Sequence, residues 1–250
     1  MIQHTGVLHV HSTYSRDGHH PLHEIVAFGR RRGFRFICMT EHAESLTPTS
    51  FGSYLAECRH LSSSECCLVP GLEIDCTDGL HMMGLGLTSY VEPGCALRVA
   101  TAIQDSGGIA VIAHPGRYAY RIPPALALSV HGIEVWNQGY DGRFLPNPHS
   151  LTLLRQFRRE NPAVYAFGGV DLHRISPVSH VRTFIRARSS TPECVLSALR
   201  IGDFRIEGRW FRLDSGGVRL NSRWLPLLAA RGAYTFAREI RRRLRPSLQS

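Results

Sequence analysis

A chain of 250 residues with 43% hydrophobic content has material for one sizeable core, and its seven cysteines, odd in number and without C-x-x-C spacing, exclude a disulfide framework and a zinc ribbon. All 29 basic residues are arginine, which excludes P-loop and Schiff-base lysine chemistry but leaves phosphate recognition by guanidinium forks open. The net charge of +9 suits a polyanionic partner or a solvated basic face, and with no apolar run near the ~20 residues of a membrane span the expectation is a soluble, cytoplasmic protein.

The first predicted strand, Val7–Val10, lies inside Leu8-His9-Val10-His11-Ser12. Residues two apart on a strand project to one side, so His9 and His11 can chelate one ion, although a lone H-x-H is a weak signal. Ser15-Arg16-Asp17-Gly18 has turn composition and either returns Asp17 to the same mouth or is an ordinary turn. A helix over Pro21–Arg32 opens with proline and stops at Gly33, and the strand Phe34–Thr40 then runs into Glu41-His42. After Thr47 a helix covers Pro48–Leu61, followed by a strand over Leu68–Glu73 and a strand pair around His81 within Leu80–Leu87. Charged side chains rarely close buried strands without a partner, which marks His42, Glu73 and His81.

A helix over Pro93–Asp105 ends at Gly107-Gly108, and the strand Ile109–Ala113 leads into His114-Pro115-Gly116-Arg117, a metal-type ligand with a phosphate-type cation three residues on. The strand Ile133–Trp136 precedes Asn137 and Arg143, which either shape a substrate pocket or belong to a structural loop. A helix over Ser150–Arg159 and a strand over Val164–Gly168 lead to Gly168-Gly169-Val170-Asp171-Leu172-His173, where the glycines would let backbone pass close to a crowded site. This βα alternation predicts parallel strands covered by helices, closed as a barrel or left open. Catalytic residues of barrels gather at strand C-terminal ends, where His9, His11, His42, Glu73, His114, Glu134 and Asp171 all fall. Beyond about Arg188 the pattern changes to a helix over Pro192–Arg200, a hairpin through Phe204–Phe211 and Val218–Leu220 turning at Asp214-Ser215-Gly216-Gly217, and a basic helix over Leu227–Leu244. The expected division is a barrel over 1–188 and a small α+β appendage over 189–250.

Taken together, His9-x-His11, Asp17, His42, Glu73, His81, His114 and Asp171-x-His173 resemble the nine-ligand set of the PHP (polymerase and histidinol phosphatase) family, filled in order with acceptable ligand types. The resemblance implies a distorted (β/α)7 barrel with two or three divalent ions, zinc, manganese or iron. His9, His11, Glu73 and Asp171 would hold one ion; Glu73, His81 and His114 the second; Asp17, His42 and His173 the third. Glu41 stands where the family often has aspartate, and Asp17 where many members have histidine. Two ions about 3.5 Å apart would bring a bridging water near neutral pKa for attack on phosphorus, with Glu73 setting their separation. The third ion and Arg117 would neutralise the phosphoryl oxygens, or His173 or His42 would protonate the leaving oxygen.

The expected activity is hydrolysis of a phosphate monoester or related small phosphorylated substrate. About thirty residues separate His81 from His114, too few for the insertion domain of the family's nucleotide-bisphosphate phosphatases, which disfavours nucleotide or oligonucleotide phosphodiester cleavage. An amidohydrolase-like reaction on a non-phosphate substrate is the other alternative, and a scaffold that has lost its metals is disfavoured because no ligand is missing. The basic stretch Tyr234–Arg245 would suit docking on nucleic acid or an anionic membrane, without making either the favoured partner.

Overall fold

In a computed structural model, which describes residues 1–176, 181–221 and 226–234, strands and helices alternate along most of the chain. The strands are β1 (Ile2–Val10), β2 (Phe36–Met39), β3 (Glu41–His42), β4 (Cys67–Val69), β5 (Gly71–Asp75), β6 (His81–Leu85), β7 (Ile109–Ile112), β8 (Gly132–Asn137), β9 (Tyr165–Gly169), β10 (Arg182–Ala187), β11 (Phe204–Glu207) and β12 (Arg212–Asp214). The helices are α1 (Leu22–Arg31), α2 (Pro48–Leu61), α3 (Ala96–Asp105), α4 (Gln138–Asp141), α5 (Pro148–Glu160) and α6 (Pro192–Arg200), and residues 226–234 are also helical. Helix ends follow local chemistry. At α2, Thr47 and Ser50 cap each other reciprocally with Pro48 in the first turn, and at α5 the Asn147 side chain accepts from the His149 N–H. Helix α1 turns Leu22, Ile25, Val26 and Phe28 inward, and the chain leaves it through Gly33 at φ +71°.

The fold is mixed α/β with two six-stranded sheets, ordered β12-β11-β10-β1-β2-β4 and β3-β5-β6-β7-β8-β9. Both β2 and β4 continue after one residue into β3 and β5 of the other sheet, so two lengths of chain pass from sheet to sheet at Thr40 and Pro70. On the far side, Val170 N–H donates to Leu8 O (2.9 Å), Leu172 N–H to His9 O (3.1 Å) and His11 N–H to Leu172 O (2.9 Å). The strands β7, β8 and most of β9 are buried, as expected of continuous apolar runs covered on both faces.

Four features differ from the sequence expectation. The strands are not all parallel: β6 is antiparallel to both β5 and β7, because the short link from Asp75 to His81 suits a turn and cannot hold a crossover of a dozen residues. A single strand stands at His81, not a pair. The segment 182–187, left without a strand, forms β10 antiparallel to β1, with alternate residues Thr183, Ile185 and Ala187 facing inward. The hairpin also turns earlier than expected. β11 pairs with β12 in the register Glu207↔Arg212, closed by Gly208 N–H to Phe211 O (3.0 Å), and a Cβ on Gly208 would collide with Trp136. The Asp214–Gly217 segment does turn, but returns only to a single bridge, Leu213↔Arg219. Residues 226–234 form the start of the expected basic helix, and its continuation to Leu244, with the arginines of the docking stretch, lies outside the described residues. Among the described residues no helix is long and apolar enough to cross a membrane.

Candidate metal centre

Strand alternation does not explain how His9 and His11 come together. The register of β1 against β2 shifts between Leu8 and Val10, leaving His9 as a bulged residue at φ +67°, while His11 lies beyond the strand end. The bulge re-aims the first imidazole so that the two ring centres lie 5.3 Å apart. His114 (φ +25°) and Asp171 (φ +51°) also occupy backbone regions that L-residues rarely adopt, each costing about 1–3 kcal/mol. Such strain persists where surrounding structure fixes it, and here it gathers in one place. Gly169 shows the crowding: a Cβ there would overlap the Glu134 carboxylate and lie 2.8 Å from His9 Cβ.

Glu73, buried in the middle of β5, is the hub. Its Oε1 lies 2.8 Å from both His81 Nδ1 and His114 Nε2, and its Oε2 lies 3.3 Å from His9 Nε2, 3.4 Å from His11 Nε2 and 3.6 Å from His42 Nδ1. Asp171 Oδ1 is 3.4 Å from His9 Nε2 and 3.8 Å from His11 Nε2. Asp17 Oδ2 stands 3.3 Å from the Nε2 atoms of both His42 and His173, whose rings flank His11 at 4.5 and 4.2 Å. The structure thus brings all nine sequence-predicted ligands into one cluster.

Three supporting groups were not among those ligands. Glu134, fully buried on β8, accepts from His9 Nδ1–H (2.9 Å), the His114 backbone N–H (2.7 Å) and Asn137 Nδ2–H (2.9 Å). Glu41, also fully buried, accepts from the Ser12 hydroxyl (2.7 Å), the Ser12 N–H and the Ser15 hydroxyl (2.6 Å). The Tyr118 hydroxyl accepts from the His81 N–H (2.8 Å) and approaches His114 Nδ1 at 3.4 Å. Position at a strand end was the available signal for the two carboxylates, and nothing local distinguishes Tyr118.

The electrostatics separate the two leading histidines. Burial pulls the His9 pKa down, but the carboxylates of Glu134, Asp171 and Glu73 outweigh it and hold the ring above its ordinary value. His11 goes the other way: burial lowers it, and neighbouring His9, His173 and His42 add to the effect beyond what Glu73 restores. Burial alone would raise Glu73, yet His9 and bonds from His114 and His81 hold it well below the usual carboxylate range.

Ser15 then assigns the His11 tautomer. Its oxygen accepts from the His42 N–H (2.9 Å) and its one proton goes to Glu41, so His11 Nδ1, at 3.3 Å, must be the N–H donor. The bare Nε2 of a neutral imidazole is therefore buried without a hydrogen bond, facing the carboxylate oxygens of Glu73 and Asp171. A lone pair among anionic oxygens is unfavourable unless a cation lies between them. Imidazole and carboxylate donors converge in the groups His9–His11–Glu73, Glu73–His81–His114, His9–His114–Asp171 and His11–His42–His173, so the residues fit divalent transition metals.

Of the groups expected to contact substrate, Arg117 is exposed and donates to the Tyr140 hydroxyl (3.1 Å), while the Tyr140 ring lies 5.0 Å from that of His114. The hydrogen bond to Tyr140 raises the Arg117 pKa above its ordinary value, keeping it cationic. Asn137 is buried and donates to Glu134 and to Asp171 Oδ2 (3.3 Å). The Arg143 guanidinium lies 5.0 Å from the Phe144 ring centre.

Residues 7–163, more than half of the chain, match the sequence model of the PHP domain. No relative is found among curated proteins. The fold is similar to a two-domain protein from Bacteroides vulgatus ATCC 8482 containing a predicted PHP-like metal-dependent phosphoesterase, with a TM-score of 0.64 and 21% identity over 83% of this chain. This chain spans 65% of that protein. It is also similar to PsfC from Pseudomonas syringae PB-5123 (TM-score 0.61, 16% identity, 94% of this chain and 98% of that one). A third similar structure is the lesion-specific endonuclease Q from Pyrococcus furiosus (0.54, 14%, 82% and 58%).

Proposed function

Because this chain belongs to the PHP domain family, we propose that it is a metal-dependent phosphoesterase hydrolysing a phosphate monoester or related small phosphorylated substrate. The observation that carries the reading is the bare, buried Nε2 of His11 among the oxygens of Glu73 and Asp171. We assign His9, His11, Glu73 and Asp171 to one ion, Glu73, His81 and His114 to a second, and Asp17, His42 and His173 to a third. Zinc, manganese and iron all suit these donors. Ions so held supply Lewis acidity toward a phosphoryl group and an attacking water. The two sheets, crossed by the chain at Thr40 and Pro70 and bonded between residues 170–172 and β1, support a distorted (β/α)7 barrel, with residues 189–250 as its appendage.

The protein's own groups divide the remaining work. Glu73, held anionic and oriented from both sides, keeps the first two ion positions adjacent, while Asp171 closes the first beside His9 and His11. Arg117 extends from the cluster's rim as a permanent cation whose fork suits phosphoryl oxygens. His173, with its side chain 30% exposed beside Asp17, is the imidazole placed to pass a proton to a leaving oxygen when the third ion position is not used. Asn137 and Arg143 remain candidates for shaping the pocket, Asn137 through the carboxylates it orients.

The test is phosphate release by manganese-loaded protein from histidinol phosphate, sugar phosphates, nucleoside bisphosphates and short oligonucleotides, with Asp171→Asn as control. Turnover of one small monoester that the variant loses supports the reading. Turnover of oligonucleotides alone moves the substrate to phosphodiesters, and no release at full metal loading overturns phosphate chemistry in favour of amide or lactone substrates.

A further inference from the structure

The helix at 226–234 lies outside the segment matched by the family model, yet its Arg231 reaches the loop beside the metal centre. Arg231 Nη1 donates to the carbonyl oxygens of Asp141 (2.8 Å) and Leu145 (2.6 Å), and Nη2 to Asp141 Oδ1 (3.3 Å). The Asp141 side chain is only 9% exposed. Its Oδ1 also accepts from Asn147 Nδ2–H (2.9 Å), and its Oδ2 from the Asn137 N–H (3.0 Å). Asn137 in turn donates to Glu134 and Asp171 and accepts the Tyr140 N–H (3.0 Å). The loop passes beside Asp171, since a Cβ on Gly139 would be in van der Waals contact with Asp171 Oδ2 at 3.4 Å.

Other bonds hold this loop at its flanks: Val181 N–H to Gln138 Oε1 (2.8 Å), Trp136 Nε1–H to Gly142 O (2.8 Å) and Arg209 N–H to Arg143 O (3.0 Å). They leave the Asp141 carboxylate to Arg231, Asn147 and Asn137. A guanidinium can bridge two carbonyls and a carboxylate at once, which a single ammonium cannot do with the same fixed geometry.

We propose that Arg231 is a positioning residue: the C-terminal helix clamps the loop 138–147 and, through Asp141 and Asn137, fixes the orientation of Asp171 toward the metals and of Tyr140 toward Arg117. The proposal rests on the metal-centre reading given above, and its test separates the two. The full chain, stripped of metal, is compared as wild type, Arg231→Ala, Arg231→Lys, Asn137→Ala and the Arg231→Ala/Asn137→Ala double variant.

Hydrogen–deuterium exchange of the metal-free proteins reads the loop directly. Arg231→Ala is expected to speed exchange at the Asn137 and Tyr140 amides about tenfold, with the β7 amides unchanged. Titration with manganese alone then reads the centre: Arg231→Ala raises the Kd about tenfold, Arg231→Lys falls between it and wild type, and the double variant is no weaker than Asn137→Ala because both act along one path. Millimolar guanidinium restores part of the affinity of Arg231→Ala. Unchanged exchange at Asn137 and Tyr140, or a Kd that is unchanged or additive in the double variant, overturns the clamp. If Arg231→Ala does not fold, Arg231→Lys carries the same comparisons. A wild-type chain that binds no manganese overturns the metal reading, and the exchange data still decide the clamp.

Discussion

Ser15 has one proton to give and lone pairs to fill, and with Glu41, His42 and His11 around it the hydroxyl is fully occupied. That occupancy puts a His11 proton on Nδ1 and turns Nε2 inward toward Glu73 and Asp171. Glu134 does the corresponding work for His9 as a buried carboxylate behind an imidazole whose other nitrogen faces Glu73 and Asp171. Glu134→Gln keeps the volume but replaces one acceptor oxygen with a donor and removes the charge. It is expected to weaken manganese binding by about 10–100-fold, measured by titration, while the far-ultraviolet circular dichroism stays native. The residues of the cluster were legible in the sequence because metals accept few residue types and most of these stand at or just beyond strand ends. The role of Glu134 was not, since its partner His9 is 125 residues away and nothing local marks which strand-end carboxylate faces which imidazole. The geometry that aims His9 was hidden for a related reason: a bulge at Leu8/Val10 depends on the register of a neighbouring strand.

At the scale of elements, punctuation was the readable part. Proline at the start located α2 and α6 to the residue, α2 has a capping side chain at Thr47 as well, and Thr47→Ala tests that signal. Losing the reciprocal cap with Ser50 is expected to lower stability by about 1 kcal/mol in urea denaturation, with no change in manganese affinity because α2 carries no ligand. What local signals could not give was partnership. β10 carries a usable alternation, Thr183, Ile185 and Ala187 in and Arg182 and Arg186 out, but it is too polar to stand out beside the apolar runs. The hairpin turn was placed at Asp214–Gly217 on turn composition, whereas β11 and β12 turn where Gly208 slips past Trp136, a contact across more than seventy residues of sequence.

For the molecule as a whole, one half-buried histidine ties the sheet to pH. His131, between β7 and β8, exchanges backbone bonds with Ala110 and Tyr165, and its Nδ1 accepts the Ala110 N–H (3.2 Å). Burial, helped by the nearby Arg200 charge, lowers its pKa below the ordinary 6.5. The unfolded chain therefore takes up this proton first: the contribution is intact above pH 6.5 and is lost as pH falls toward and through the depressed folded value. His131→Asn, whose side-chain oxygen can accept the same N–H, is expected to flatten that slope in thermal melts between pH 7 and 5 without altering the neutral-pH melting temperature by more than a few degrees.

The strand that carries His9 has β2 on one side and β10 on the other, with the 170–172 segment bonded to its C-terminal end. On a ribosome, the 170–172 segment and β10 emerge long after β1 itself, so the first histidines of the cluster to be synthesised wait for their surroundings to be completed. Closing that span of chain carries the entropic cost of a long loop, and long-range pairing of this kind slows folding. A nascent chain released early would expose β1 with unpaired edges, and because the bulge exists only in the register with β2, His9 would not yet be aimed at the other donors. The convergence of donors around His9 is therefore set by the segments at 170–172 and 182–187 and not by β1 alone.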